Sequence, residues 1–276
     1  MQGKKLRLKI ATWNINSVRL RLPLVLHFLK TYSPDVLCLQ ETKCRDSEFP
    51  AGDFRAAGYG HVVINGQKGY HGVATISRLT LDLVEKREFC AKGDARHLLT
   101  ALPGIGPGKK PVLLHNFYVP AGGDEPDPVI NPKFEHKLTF LSEMIDWFEQ
   151  GLKKDTYAVL VGDLNIAPLE TDVWNHKALL KIVSHTPIEV ERLSRVLAAG
   201  KWVDAMRHII PPDEKLFTWW SYRSPDWAAA DKGRRLDHIW VSAGLRPAIT
   251  AINILREARG WERPSDHVPV TMTLEL

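Results

Sequence analysis

The sequence predicts an α/β protein in which two β-sheets pack against each other and helices cover them. Short apolar runs alternate with turns rich in glycine and proline, and these runs outnumber the helical patterns interspersed among them. No linker, low-complexity tract or internal repeat interrupts this alternation. We therefore expect residues 1–276 to form a single domain.

The strands are predicted from short apolar runs that end at turn signals, a pattern typical of buried β-structure. These runs are Leu8–Asn14, Val36–Leu39, Val62–Asn65, Gly72–Ser77, Leu98–Leu102, Val112–Tyr118, Ala158–Val161, Leu236–Val241 and Val268–Leu274.

Three segments carry apolar residues at helical spacing: Leu22–Tyr32, Pro132 to about Lys153, and Glu189–Ala199. Pro23 suits the first turn of the first helix, and Asn131 can cap the second. Lys153 and Lys154 suit the negative end of the second helix dipole. The polar face predicted for this helix contains Glu135, Lys137, Glu143, Asp146 and Glu149.

Composition excludes several classes of protein. A content of 44% hydrophobic and 25% charged residues is that of an ordinary globular protein, and no apolar run approaches the roughly 18 residues that span a bilayer. The charged start, MQGKKLRLK, is not followed by the apolar stretch of a signal peptide. Cys38, Cys44 and Cys90 show neither disulfide nor metal-ligand spacing. We expect a cytoplasmic protein without a membrane partner.

The charge balance leaves the partner open. Lysine and arginine total 37 against 32 acidic residues, a net charge of +5, which permits a polyanionic partner without requiring one. The tryptophans near residues 219–227 are compatible with stacking on bases, although filling of the core is the more common role of such residues.

Polar side chains follow the predicted strands, where a rigid scaffold can assemble a site. In an extended segment, residues two apart lie on the same side, so Asn14 joins Asn16 and Asp163 joins Asn165. The complete set is Asn14, Asn16, Gln40, Glu41, Lys43, Tyr118, Asp163, Asn165, Asp237, Asp266 and His267.

Each of these features also has an ordinary explanation when taken alone. An Asp-x-Asn sequence after a strand is commonly a turn, a lone glutamate is commonly solvated, and an Asp-His pair is commonly a turn with a surface histidine. The same kind of accident would have to occur at five separate strand ends, so a shared site is the better interpretation.

The chemistry of this set is specific. Carboxylates and amides without a cysteine or histidine cluster form a hard oxygen site that suits Mg²⁺, with Mn²⁺ as a substitute, rather than zinc. Such a metal stabilises charge on a phosphoryl oxygen, and a histidine oriented by an aspartate adds a donor or a proton shuttle. Metal-assisted hydrolysis of a phosphodiester uses the whole set.

The same residues carry a resemblance to a known family. WNINSVR, LQETK, NFYVP, GDLNIAP, RLDHIWVS and PSDHVPV occur in the order and approximate spacing of the exodeoxyribonuclease III family of abasic-site endonucleases. LQET and GDLN alone are shared with the wider endonuclease/exonuclease/phosphatase superfamily. LQETK, the aromatic FTWWSYR segment and the final SDHVPV are specific to the DNA-repair branch.

The resemblance implies a DNase I-like, four-layered α/β sandwich, with two face-to-face mixed β-sheets flanked by helices and the site at one edge. It implies that Glu41 ligates Mg²⁺ close to Asn14, and that Asp266 is a ligand or an outer partner of one. Asp163, Asn165 and His267 complete the implied metal-binding set, and the number of metals stays open.

The resemblance also implies catalytic roles. Asp163 would orient or deprotonate the attacking water, and Asn165 would contact the phosphate. Tyr118 would bond the phosphate or assist the leaving oxygen. His267 would stabilise the transition state, held by Asp237, which would also raise its pKa.

DNA contacts are implied for a further group of residues. Trp219 and Leu236 would form the wall of a small pocket for an extruded sugar or a terminal nucleotide. Two departures affect this region, since Arg234 and Ala121 stand where some relatives carry an aromatic residue and a polar amide. The remaining implied contacts are Asn16, Arg19, Lys43, Arg96, Arg223 and Arg234.

The functional hypothesis is a Mg²⁺-dependent DNA-repair nuclease that acts on duplex DNA, as an AP endonuclease, 3′-phosphodiesterase and 3′→5′ exonuclease. Abasic sites and 3′ ends are the expected substrates and a monomer is the expected state. One alternative is a superfamily enzyme acting on inositol phosphates or lipid headgroups, which would favour an apolar docking loop or an export signal. Another is a DNA-binding protein without catalysis, which would lack the carboxylates.

Overall fold

Two six-stranded sheets form the centre of the computed structural model, which describes residues 6–151, 156–224 and 226–276. In sheet I the strand order is β13-β14-β1-β2-β4-β3, and β1 and β2 form its one parallel pair. Its strands are β1 (Arg7–Asn14), β2 (Val36–Gln40), β3 (His61–Asn65), β4 (Val73–Ser77), β13 (Ile249–Ile254) and β14 (Val270–Glu275).

Sheet II repeats this arrangement with the strand order β5-β6-β7-β8-β12-β9, and β7 and β8 form its parallel pair. A separate ribbon joins β10 (Trp219–Trp220) to β11 (Gly233–Arg234). The strands of sheet II are β5 (Asp82–Glu85), β6 (His97–Leu102), β7 (Val112–Tyr118), β8 (Tyr157–Asp163), β9 (Trp202–Asp204) and β12 (Asp237–Ser242).

The helices cover the outer faces of the two sheets. In sheet I, Trp13 and Leu37 pack with Phe28 of α1, and in sheet II, Leu160 packs with Phe140 of α3 and Leu193 of α5. The helices are α1 (Val18–Tyr32), α2 (Ala51–Ala56), α3 (Pro132–Glu149), α4 (His176–Leu179), α5 (Pro187–Ala199), α6 (Ala205–Ile209) and α7 (Trp227–Ala230).

The inner faces of the sheets pack on each other, with Ile10 and Cys38 of sheet I in one apolar cluster with Leu114, Val161 and Ile239 of sheet II. The layers therefore run helix, sheet, sheet, helix. The predicted four-layered α/β sandwich is confirmed.

Side-chain alternation places the ends of the central strands in the space between the sheets. In β1, Ile10 faces the inner core, so Asn14 lies on the same face, and in β8 the same parity links Val161 to Asp163. The carboxyl ends of the parallel strands thus deliver polar residues to one edge of the inter-sheet core.

The first helix begins earlier than predicted. It starts at Val18 rather than Leu22, and Arg21 interrupts it with φ −112° and ψ 16°. The regular turns therefore begin close to Pro23, where proline's fixed φ suits a helix start.

The second helix ends earlier than predicted, at Glu149, and Gly151 follows it with φ 77°. Leu152, Lys153 and Lys154, expected in its last turn, lie outside the described residues. The assignment of Lys137 to its polar face is wrong, because this side chain is fully buried.

Strands β5, β9 and β13 were not predicted. They lie at the edges of the sheets, where one flank needs no partner strand, and β9 has only three residues. Their residues are partly exposed, so they lack the continuous apolar run of the central strands. Within the described ranges, no helix combines the length and apolarity required to span a membrane.

Lys137 holds three segments of the chain together. Its Nζ donates to Glu189 Oε1 of α5 at 2.5 Å, to the carbonyl of Asn165 at 2.8 Å and to that of Ala121 at 3.2 Å. Glu189 is also fully buried and accepts bonds from Ser184 and Thr186. The pair therefore fixes the loop after β8 relative to both outer helices.

We predict that Lys137→Met lowers the free energy of unfolding by about 3 kcal/mol, because it leaves Glu189 buried without its cation. Urea denaturation measures this loss. Lys133→Met on the same helix is the matched control, since Lys133 is exposed and its replacement is expected to cost less than about 0.5 kcal/mol. Equal stability of the two variants would contradict the interpretation.

Two neutral histidines are buried behind sheet II. His97 Nε2 lies 3.2 Å from His115 Nδ1, and Phe117 and Trp147 surround the pair. Burial lowers the pKa of His97 well below its usual value and lowers that of His115 to about 3.

These histidines make the fold sensitive to acid. Their depressed pKa values mean that the unfolded chain takes up protons first, so stability is lost as the pH falls below about 6.5. Between pH 7 and 5 we expect the free energy of unfolding to fall by about 2 kcal/mol per histidine. Urea denaturation at both pH values, compared with a His97→Leu/His115→Leu variant, tests this. A loss of the same size in that variant would exclude the pair as the cause.

Candidate active site

The polar residues predicted at the strand ends converge at one edge of the two sheets. Asn14 ends β1, Glu41 follows β2, Asp163 ends β8, and Asp237 begins β12 directly opposite Asp163 in the antiparallel register. His267 precedes β14 and forms a bridge with Trp219.

Asn14 joins the two sheets within this site. Its Nδ2 donates to Glu41 Oε1 at 2.8 Å and to Asp163 Oδ2 at 2.9 Å. Asn14 is fully buried, so both bonds form in an environment where a carboxylate benefits strongly from a donor. One amide therefore sets the spacing between the carboxylates of the two sheets.

His267 and Asp237 form a buried dyad. The Nδ1–H of His267 donates to Asp237 Oδ2 at 2.8 Å, which leaves Nε2 directed to Asp163 Oδ2 at 3.6 Å. Burial lowers the pKa of His267, but the charges of Asp237 and Asp163 outweigh this effect and raise it to about 10. The direction agrees with the sequence-based expectation, and the imidazole is cationic at neutral pH.

For Asp163, burial decides the direction of the pKa shift, whereas for His267 the neighbouring charges decide it. Burial raises the pKa of Asp163 to about 7, with Asp237 and Glu41 acting in the same direction and His267 and Asn14 against it. Its Oδ1 accepts from the Asn165 backbone amide at 2.9 Å, and its Oδ2 from Asn165 Nδ2 at 3.2 Å. The carboxylate is thus held rigidly while its affinity for a proton is increased.

Tyr118 ends β7 beside these groups and is 7% exposed. Burial raises the pKa of its phenol well above the usual value, and the nearby Glu41 and Asp163 add to this. The phenol therefore keeps its proton and is available as a neutral hydrogen-bond donor. Arg96 stacks on its ring, with its guanidinium carbon 4.9 Å from the ring centroid.

Several site residues adopt a left-handed backbone conformation. Asn16, Glu41, Lys43 and Asn165 have φ values of 47°, 51°, 54° and 55°. This conformation is unfavourable for residues other than glycine, and least so for asparagine. The chain turns sharply after each strand and brings residues two apart into the same site.

The donor set suits a hard divalent cation. Ligand atoms of Asp163, Asp237 and His267 lie within 4.8 Å of one another, and Asp237 Oδ1 is buried without a hydrogen-bond partner among the described residues. Glu41, the metal ligand implied by the resemblance, lies outside this group and is linked to it through Asn14. Carboxylate and amide oxygens are the ligands that Mg²⁺ and Mn²⁺ prefer.

Asp266 has both carboxylate oxygens engaged. Oδ2 accepts from Trp219 Nε1 at 2.9 Å, and Oδ1 accepts from Asn16 Nδ2 at 3.2 Å. Burial acts to raise its pKa, but the charge of His267 and these two bonds lower it overall. In this arrangement each oxygen of Asp266 holds a neighbouring side chain, Asn16 or Trp219.

The residues expected to contact DNA surround this centre. Arg234 stacks on Trp219 at 5.3 Å, and its Nη1 donates to the Val183 carbonyl and to Ser184 Oγ. Leu236 follows Arg234 by two residues in the chain and is buried. The wall predicted at Trp219 and Leu236 therefore carries a fixed cation.

The other expected contacts differ in how they are held. Lys43 bonds Glu41 Oε2 at 2.8 Å and Asn16 Oδ1 at 2.6 Å, and Arg96 pairs with Asp94 at 2.9 Å. Arg19 and Arg223 are exposed.

Two other basic side chains close to these motifs are held within the fold. Arg21 bonds backbone carbonyls and Tyr222, and Arg235 is fully buried between Asp172 and Asp204.

Sequence reasoning placed Gln40 among the polar residues at the strand ends, but it missed Asn116 and Ser265, which support the site. Gln40 Nε2 donates to Asn116 Oδ1 at 2.7 Å across the two sheets, and Asn116 Nδ2 donates to carbonyls of Leu39 and Ala74. Asn116 continues the inward parity of its strand, as Gln40 does, and this is the signal that could have revealed it. Ser265, which donates to the Asn14 carbonyl at 2.7 Å, carries no such signal.

Comparisons with known proteins agree with this geometry. The Endonuclease/Exonuclease/phosphatase family matches residues 11–267. Exodeoxyribonuclease III of Haemophilus influenzae is 29% identical over 269 residues, covering 95% of this chain and 98% of its own.

Solved structures show the same similarity. The structure of an AP endonuclease from Archaeoglobus fulgidus superposes with a TM-score of 0.87 at 30% identity, covering 98% of this chain and all of its own. A 3′ phosphatase from Neisseria bound to a product DNA hairpin gives the same TM-score, identity and coverage. The chain belongs to the endonuclease/exonuclease/phosphatase family, and within it to the exodeoxyribonuclease III branch.

Proposed function

We propose that this chain is a DNA-repair nuclease that uses Mg²⁺ to hydrolyse phosphodiester bonds of duplex DNA at abasic sites and at 3′ ends. The observation that carries the proposal is the buried Asp237–His267 dyad directed to Asp163, which Asn14 links to Glu41. The similarity to an exodeoxyribonuclease III and to an AP endonuclease supports the same substrate class, as does the product DNA bound to the Neisseria protein.

The residues have complementary tasks in this reaction. Asp163 Oδ2, held by Asn14 and Asn165, is placed to orient a water molecule and accept its proton. His267, kept cationic by Asp237, is placed to stabilise charge on the non-bridging oxygens. Tyr118 can donate its phenolic hydrogen bond to the phosphate or to the leaving 3′ oxygen.

Mg²⁺ held by Glu41 with Asn14 close by would stabilise negative charge on the phosphoryl group when bound. Asp163, Asn165, Asp266 and His267 complete the set of residues that we propose around this metal.

Other parts of the proposal concern the state of the protein. We propose that the enzyme is a monomer. Cys38, Cys44 and Cys90 are all unpaired, which supports a reducing, cytoplasmic location. We also propose that residues 1–276 act as one domain.

We predict that Asp237→Asn lowers kcat by at least tenfold with little change in KM, because the amide no longer keeps His267 charged and oriented. Steady-state cleavage of a labelled duplex measures both constants. Asp82→Asn is a matched control, since Asp82 lies on edge strand β5 at the opposite side of sheet II. An unchanged kcat in Asp237→Asn would refute the role of the dyad.

The substrate is tested with two 5′-labelled duplexes, one containing a single abasic analogue and one intact with a recessed 3′ end. With Mg²⁺, but not with EDTA, we expect incision at the analogue and a ladder on the intact duplex, and loss of both in His267→Ala. A ladder without incision would restrict the enzyme to trimming of 3′ ends, consistent with the cationic Arg234 that stacks on Trp219. No product from either duplex would refute the nuclease proposal and direct the search to phosphoinositides.

A further inference from the structure

A cavity of about 600 Å³ opens beside the site, next to Glu41 and Tyr118. It extends from these residues to loop 120–123 and to the first turn of α3, where Lys133 and His136 face it. The proposed reaction requires none of these outer groups. The cavity is large enough for part of a substrate beyond the phosphate that is cleaved.

The charged residues of the cavity leave one cation unmatched. Glu41 is paired with Lys43 at 2.8 Å, and Asp94 is paired with Arg96 at 2.9 Å. Lys133 forms no ion pair within the described ranges and is exposed. The lining therefore has a net positive charge, which favours an anionic ligand.

His136 is an unpartnered polar group in the wall of this cavity. The residue is 8% exposed, and its Nε2 is buried without a hydrogen-bond partner in the part of the chain that the structure describes. The nearest carboxylate oxygen, Oδ2 of Asp94, is 3.9 Å away, beyond hydrogen-bond distance. A buried imidazole nitrogen left unpaired costs free energy, which a ligand in the cavity would recover.

A second imidazole repeats this feature, since Nδ1 of His71 is also buried and unpartnered, and its Nε2 lies 3.4 Å from Asp94. Asp94 thus holds Arg96 and His71 on one wall of the cavity. Among the described residues that line the cavity, Glu41 is the other carboxylate. Arg96 and Lys133 are cations that border the same space as Lys43.

The remaining wall is a rigid loop of backbone atoms. Lys137 donates to the Ala121 carbonyl, and Asn131 Nδ2 donates to the Gly122 carbonyl at 2.9 Å. Gly122 has φ 93°, and a Cβ there would meet Lys137 Cδ at 2.9 Å. The loop therefore presents small residues and backbone, and a ligand can approach it closely.

We propose that this cavity binds a second phosphate of the nucleic-acid substrate, near the phosphate that is cleaved, through Lys133 and His136. The inference rests on the proposed nuclease function and specifies which part of the substrate the protein holds during cleavage. The phosphate is either a diester within the strand or a monoester at a strand terminus, since both present the same anionic oxygens.

The test uses binding and cleavage of abasic-analogue duplexes by wild type, Lys133→Ala and His136→Leu. In one arm, each phosphate flanking the cleavage site is replaced in turn by a neutral methylphosphonate. In the other arm, the strand ends close to the cleavage site and carries either a phosphate or a hydroxyl. Dissociation constants are measured in EDTA, so that binding is determined independently of turnover.

Lys30→Ala is the matched control. Lys30 is an exposed lysine in the last turn of α1, before the start of β2, whereas Glu41 follows the end of that strand about 16 Å away. Its replacement removes the same charge far from the cavity.

We expect Lys133→Ala to weaken binding about fivefold and to reduce the slope of log Kd against log salt by about 1, with Lys30→Ala unchanged. His136→Leu should also weaken binding while the protein stays folded, because its Nε2 has no partner to lose. Neutralising the contacted phosphate should weaken binding by wild type but not further weaken binding by Lys133→Ala.

The pattern of results identifies the phosphate. Sensitivity at one position of the continuous strand indicates a diester, and sensitivity confined to the second arm indicates a terminal phosphate. The subsite does not exist if each methylphosphonate replacement weakens DNA binding by Lys133→Ala as much as binding by wild type. It also does not exist if Lys133→Ala binds DNA as tightly as Lys30→Ala does. Wild type that binds and shows this pattern but cleaves nothing would instead refute the nuclease function.

Discussion

The buried carboxylate of Asp163 is the interaction on which the rest of the site depends. It ends a central strand of sheet II, accepts a hydrogen bond from Asn14 of sheet I, and lies opposite Asp237 in the strand register. Burying an anion is costly unless donors surround it, and Asn14 and Asn165 supply these donors, while the positive charge of His267 lies 3.6 Å away. The two sheets therefore have to pack in one relative position for this carboxylate to be tolerated.

The arrangement follows from a repeated architecture. Each sheet has one central parallel pair, and the carboxyl ends of both pairs open to the same edge of the sandwich. Below this edge the inner faces carry apolar residues, and Gln40 and Asn116 form a hydrogen-bonded layer between them and the reactive groups. Along each of these strands, the apolar core therefore gives way to the polar candidate site within about two residues of the strand end.

The sequence was most informative for elements whose residue pattern reflects burial alone. Central strands such as Val112–Tyr118 are buried on both faces, so their apolar runs predicted their bounds. Lys137 was wrongly assigned to the polar face of α3. A local helical pattern cannot show that Glu189 and the carbonyls of Ala121 and Asn165 bond this side chain. The grouping at strand ends predicted the candidate site, but the distances depend on tertiary contacts, including the bonds that occupy both oxygens of Asp266.

The left-handed backbone at Asn16 and Asn165 narrows the chemistry that these positions tolerate. Asparagine meets two demands at once, because it accepts positive φ more readily than other side-chain-bearing residues and also provides an amide donor. Glycine would satisfy the backbone alone, and glutamine would keep the amide on a chain that resists the turn. A substitution at Asn16 or Asn165 would both displace the loop and remove a hydrogen bond, so a loss of activity would have two causes. Engineering of this enzyme is therefore better directed to Arg234, which lies in strand β11 and is not among the residues with positive φ.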